Sequence, residues 1–142
     1  MEEHGEYGLM VDAALLTYAV LIGAGATAVL DLFAMVRARF FGVPATKYSL
    51  VGRWLAYFPR GRFAYDSITA AAPMPGEMLL GWFAHYVIGI GYAGILLAIW
   101  GVDWARHPTL APALIVGIVS VVAPFFVMQP GMGAGIAFLL RS

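Results

Sequence analysis

Asp31 and His85 are the residues of this sequence best placed to do chemistry, because each is the single charged or readily protonated group in a long apolar run. A carboxylate withdrawn from water and an imidazole that titrates near neutral pH are the parts from which intramembrane proton paths and small polar binding sites are built. Their surroundings are patterned. Ala19, Gly23 and Thr27 precede Asp31 at intervals of four, and Gly81, His85, Gly89 and Ala93 repeat at the same interval. Residues four apart share a helix face, and small side chains let two such faces approach closely where lipid supplies no drive to associate. Antiparallel packing of the two stripes brings Asp31 and His85 to one level, roughly 8–10 Å in from the loop that joins their helices. Two plainer uses stay open: the pair fastens the helices together, or Asp31 reaches an arginine such as Arg37 or Arg53.

Other chemistry finds little material. The chain has no cysteine, which removes disulfides, thiolate metal sites and thiol nucleophiles. His4 and His107 stand alone in polar segments, so no metal site and no bound cofactor is expected. The run from Gly23 to Ala28 matches the spacing of a dinucleotide fingerprint, but that motif needs a strand before it and here lies inside a lipid-length apolar stretch. Phosphate-loop, zinc-protease and serine-hydrolase motifs are missing, and no catalytic residue is assigned.

The elements that must hold these residues follow from composition. Of 142 residues 62% are hydrophobic and 11% charged, against about 25% charged in an ordinary soluble domain. Lipid is the solvent that suits such a chain, and a net charge of zero leaves nucleic acid without an electrostatic hold. Residues 1–142 read as one all-α, polytopic transmembrane domain with spans at about 13–36, 78–100 and 110–128. The apolar piece from Ile136 to Leu140 is too short to cross and reads as interfacial or as the stub of a fourth helix. Gln129-Pro130 and the glycines after it read as a flexible exit loop, or as a break in the backbone within the membrane.

Six of the eight basic residues lie in the loop 37–77, whereas the first tail carries Glu2, Glu3, Glu6 and Asp12. The positive-inside rule therefore puts the loop in the cytoplasm and the N-terminus outside. An acidic start also argues against a cleaved signal peptide. Within the loop, Val51, Trp54, Leu55 and Phe58 follow helical spacing, which predicts a short amphipathic helix over about 48–58. It either lies along the headgroups or packs on the protein's own core. Arg53, Trp54, Arg60 and Arg62 are the candidate headgroup residues. Pro73-Met74-Pro75-Gly76 marks the turn into the second span, with Glu77 in its first turn.

Four stretches carry a resemblance. Gly25 to Leu32, Val51-Gly52-Arg53-Trp54, Gly81 to Ile90 and Pro124 to Pro130 place polar residues at set points within apolar helices. They resemble the bacterial inner-membrane proteins grouped as Domain of Unknown Function 2938, over nearly all of the chain from Ala13 onward. That resemblance implies a multi-span protein of the bacterial inner membrane with no established activity. It also implies a further basic stretch and a last helix beyond the glycine-rich segment, so that the fourth helix is either absent here or the chain is shortened. The resulting expectation is a small accessory or scaffold subunit that packs against itself or a larger membrane complex. The first alternative is a small proton-coupled transporter using Asp31 and His85; an enzyme acting on a lipid or quinone ranks third.

Overall fold

The computed structural model describes residues 2–133, and every regular element among them is helical. Four helices dominate: α1 (Glu2–Phe41), α2 (Tyr48–Ala56), α3 (Glu77–Trp100) and α4 (Leu110–Ala123). The last continues through a π-turn at Pro124–Met128 to Gln129–Gly131. Three stretches, Gly5–Phe41, Glu77–Trp100 and Leu110–Gly131, are long and apolar enough to cross a membrane. The chain is an all-helical protein with the make-up of an integral membrane protein.

The helices stop where backbone chemistry stops them. Gly42 and Gly101 follow the last residues of α1 and α3 at φ of +66° and +84°, a positive-φ backbone that only glycine takes freely. At the start of α3 the Glu77 carboxylate accepts the Met74 backbone N–H at 2.9 Å, which satisfies an otherwise stranded donor. Pro112 sits in the first turn of α4, where its missing N–H is not needed.

Three boundaries differ from those expected. The first helix is not confined to 13–36 but begins at Glu2. The loop helix closes at Ala56, and Phe58–Arg60 forms a separate 3₁₀ turn, since Pro59 cannot supply the next ladder bond. The third span runs beyond 128 to Gly131 rather than opening into an exit loop. The expected fourth-helix stub, 136–140, lies outside the described residues.

The chain divides into two compact units. The first comprises residues up to Val43 with Tyr86–Gly117. Its core is Ala19, Leu96 and Leu97, flanked by Leu15, Ile22, Ile90 and Val116. The 3₁₀ turn Val102–Ala105 lies against α1 and brings Trp104 and Ala105 onto that core. Large apolar side chains such as Leu21, Val29 and Phe33 face outward, as lipid contact requires. The second unit comprises Pro44–His85 with residues from Ile118 onward. Among the described residues its buried ones are Val51, Gly52, Trp54, Tyr57, Ile68 and Gly81, and α2 is its centre.

Candidate functional site

In the first unit the small-residue stripe of α1 meets α3 as its spacing demands. A Cβ added to Gly23 would fall on the backbone of Ile90, and one added to Gly89 would fall on the Thr27 hydroxyl. The Ala19 methyl lies 3.9 Å from the Cβ position of Gly94. Ala19, Thr27 and Ala93 are buried. Asp31 continues this stripe at 8% exposure and accepts a hydrogen bond from the Tyr86 hydroxyl. Arg37, one of the two arginines open to Asp31, lies instead over the Phe33 ring at 5.8 Å.

In the second unit the other half of the α3 stripe has a different neighbour. Gly81 meets the Tyr48 carbonyl and Gly52 meets the Glu77 carbonyl, so α2 rests on the first turns of α3 backbone to backbone. His85 Nε2 and the Tyr48 hydroxyl are hydrogen-bonded at 3.0 Å, and their rings lie 4.5 Å apart. The Trp82 ring closes on the other part of Tyr48 at 4.4 Å. Tyr48 and Tyr86 escaped the sequence reading because a tyrosine in an apolar helix gives no signal that its hydroxyl is engaged.

From α2 and its C-cap Tyr57 three side chains reach into the irregular loop that follows. Arg53 grips Glu77 with two bonds of 2.8 Å, Nε to Oε2 and Nη2 to Oε1, and gives Nη1 to the Ala71 carbonyl at 3.0 Å. Both side chains are withdrawn from solvent, at 11% and 15% exposure. The Glu77 hydrogen bonds hold the Arg53 guanidinium above its ordinary value against the opposing effect of burial, so it stays charged. Trp54 Nε1 donates to the Phe63 carbonyl at 2.8 Å, and the Tyr57 hydroxyl to the Ala72 carbonyl at 3.0 Å. Beyond Trp54, Gly131 approaches so closely that a Cβ there would lie 2.8 Å from the indole. The loop backbone then bonds the end of α4 through Tyr65 N–H to Gly131 O and Ile68 N–H to Met132 O, both at 2.9 Å.

Of the four candidate headgroup residues, Arg53 is held by Glu77, and Trp54 is 8% exposed with its indole N–H satisfied. The amphipathic helix packs on the protein's own core. Arg60 and Arg62, by contrast, are exposed. Their guanidiniums lie over the rings of Tyr57 and Tyr65 at 5.2 and 5.4 Å.

Chemically, the arrangement fastens segments. Among the described residues no three of His, Cys, Asp and Glu gather to hold a metal ion. An open depression of about 250 Å³ is lined by Arg62, Ala64, Tyr65 and Asp66. A second, of about 410 Å³, lies where Met10, Val11 and Ala14 of α1 meet Val102, Asp103 and Arg106. Neither contains Asp31 or His85.

No curated protein and no solved structure matches the chain. A family model described as a protein of unknown function, DUF2938, matches residues 20–139, taking in Asp31, the Val51–Trp54 motif, His85 and Pro124–Pro130. With most of its length inside that match, the chain belongs to the DUF2938 family.

Proposed function

We propose that this protein is a non-enzymatic accessory or scaffold subunit of the bacterial inner membrane that assembles with itself or with a larger membrane complex. Its N-terminus is outside, and the loop 37–77 faces the cytoplasm. One observation carries the reading: the polar and small residues that distinguish its apolar helices are engaged in joining one segment to another. Asp31 fastens α1 to α3 through Tyr86, His85 fastens α3 to α2 through Tyr48, and Arg53 fastens α2 to Glu77. What remains for a partner is an apolar exterior, with Leu114, Ile118 and Val122 of α4 all outward-facing. Extraction from the native membrane in a mild detergent, followed by native mass measurement, is expected to yield a complex heavier than one chain. A stable lone monomer overturns the proposal.

A second reading, a small proton-coupled transporter, is favoured by the burial of Asp31 within an apolar span. In proteoliposomes Asp31→Asn would then abolish a pH-dependent flux while leaving the fold intact, and unchanged flux ends that reading.

A further inference from the structure

We infer that the Arg60–Arg62 turn of this protein binds the phosphate of an anionic glycerophospholipid, with the headgroup lying in the depression beside Tyr65 and Asp66. The inference rests on the membrane reading above and not on the accessory role.

The turn is built to present two cations together. Arg60 N–H bonds the Tyr57 carbonyl at 3.0 Å and Gly61 N–H the Phe58 carbonyl at 2.9 Å. Gly61 then takes φ +70°, reversing the chain so that Arg62 N–H also reaches back to Tyr57, at 3.4 Å. Tyr57 and Tyr65 pack edge to face, 5.8 Å apart. Arg60 rests on the first ring and Arg62 on the second. Each guanidinium thus lies over a ring while its side chain stays exposed, and arginine is the residue whose planar fork can grip a phosphate with two bonds.

Among the described residues no carboxylate pairs with either of these two charges. Arg53, a few residues earlier, has a carboxylate partner, whereas neither Arg60 nor Arg62 makes an ion pair among the described residues. Among the described residues the Arg60 guanidinium makes a weak hydrogen bond, Nη1 to Met74 Sδ at 3.5 Å. An unneutralised guanidinium pair at the edge of a bilayer attracts anionic lipid, each cation adding about 1 kcal/mol near the surface.

Two neighbours point to a lipid rather than a free phosphate. Phe63, between Arg62 and Ala64, is 57% exposed with its ring edge-on to Phe58, a placement suited to acyl chains near the headgroup level. Asp66 lines the same depression as Arg62. Its carboxylate would repel a bare phosphate but accepts a hydrogen bond from a headgroup hydroxyl, as in phosphatidylglycerol.

The test is native mass spectrometry of the full chain in a non-ionic detergent, titrated with phosphatidylglycerol, phosphatidylcholine, phosphatidylethanolamine or inorganic phosphate. Phosphatidylglycerol is expected to bind most tightly. Arg60→Gln and Arg62→Gln should each weaken it about fivefold, and the arginine-to-lysine variants should recover only part of the loss. Lys47→Gln, at an exposed cation away from the turn, should leave the preference unchanged. Equal binding of all three lipids, retention of the preference in Arg60→Gln/Arg62→Gln, an equal loss in Lys47→Gln, or displacement by inorganic phosphate overturns the inference. Both arginines are exposed, so an unaltered elution profile of the variants confirms folding. The same spectra give the mass of the assembly, so a monomer that keeps its lipid preference refutes the accessory role alone.

Discussion

The first unit joins α1 to α3 by closeness, with Gly23 against Ile90 and Gly89 against Thr27, and adds the hydrogen bond from Tyr86 to Asp31. The second joins α2 to its surroundings by direction, with Arg53, Trp54 and Tyr57 each aimed at a carboxylate or a loop carbonyl. The contrast has a physical origin. Two regular helices satisfy their own backbone, so association needs only van der Waals fit and an occasional polar contact. An irregular loop packed against apolar helices has carbonyls with no internal partner, and each needs a donor from elsewhere. Arginine, tryptophan and tyrosine supply those donors to Ala71, Phe63 and Ala72. Small residues therefore suit the regular contact and long polar ones the irregular one.

The contrast is strongest where the second unit also uses closeness. Gly52→Ala drives a methyl into the Glu77 backbone, which cannot yield as a flexible side chain can, and is expected to lower stability by about 3 kcal/mol. Gly25→Ala, with open space at its Cβ, should gain about 0.5–1 kcal/mol from helix propensity. Reversible unfolding in mixed micelles measures both, and equal effects would erase the distinction between packed and open glycines. Next comes direction. Arg53→Ala leaves the Glu77 carboxylate without its guanidinium partner and should lower stability. Arg53→Lys should recover less than half, because an ammonium cannot make the two-pronged grip. Full recovery by lysine, in the same unfolding measurement, would reduce the contact to simple charge. The smallest effect belongs to the first unit. Gly89→Ala meets only the Thr27 hydroxyl at short range, so it should cost about 1–2 kcal/mol. Thr27→Ala in the same chain should restore about 1 kcal/mol of that loss. A double-mutant cycle with no coupling would show that the two helices do not meet at this pair in solution.

Much of this was legible before any coordinates. Apolar length gave three spans, and the interval of four gave Ala19, Gly23 and Thr27 as one face of α1. What a periodic pattern supplies is a face, and it leaves the partner open. Gly81 and Gly89 share one stripe of α3, yet the first meets Tyr48 of α2 and the second Thr27 of α1. Arg53 illustrates the same gap. Its charge and its interfacial neighbourhood suggested a headgroup, but Glu77 opens the next helix, and nothing in the intervening sequence says that the loop folds back far enough for them to meet. Helix extent was missed at Gly131 for another reason: a π-turn is a small local effect and decides an end only when the rest of the helix is present.

The π-turn at Pro124–Met128 has a consequence for the far end of α4. Gln129 N–H bonds the Pro124 carbonyl five residues back, the wider turn that absorbs one residue more than an α-helix would. Each residue of an α-helix advances the azimuth by about 100°, so this single surplus acts as a phase shift for everything after it. The bearing of Gly131 toward the indole, and of the Gly131 and Met132 carbonyls toward the loop, depends on that offset. An ideally wound helix of the same composition would arrive with its smallest residue pointing elsewhere.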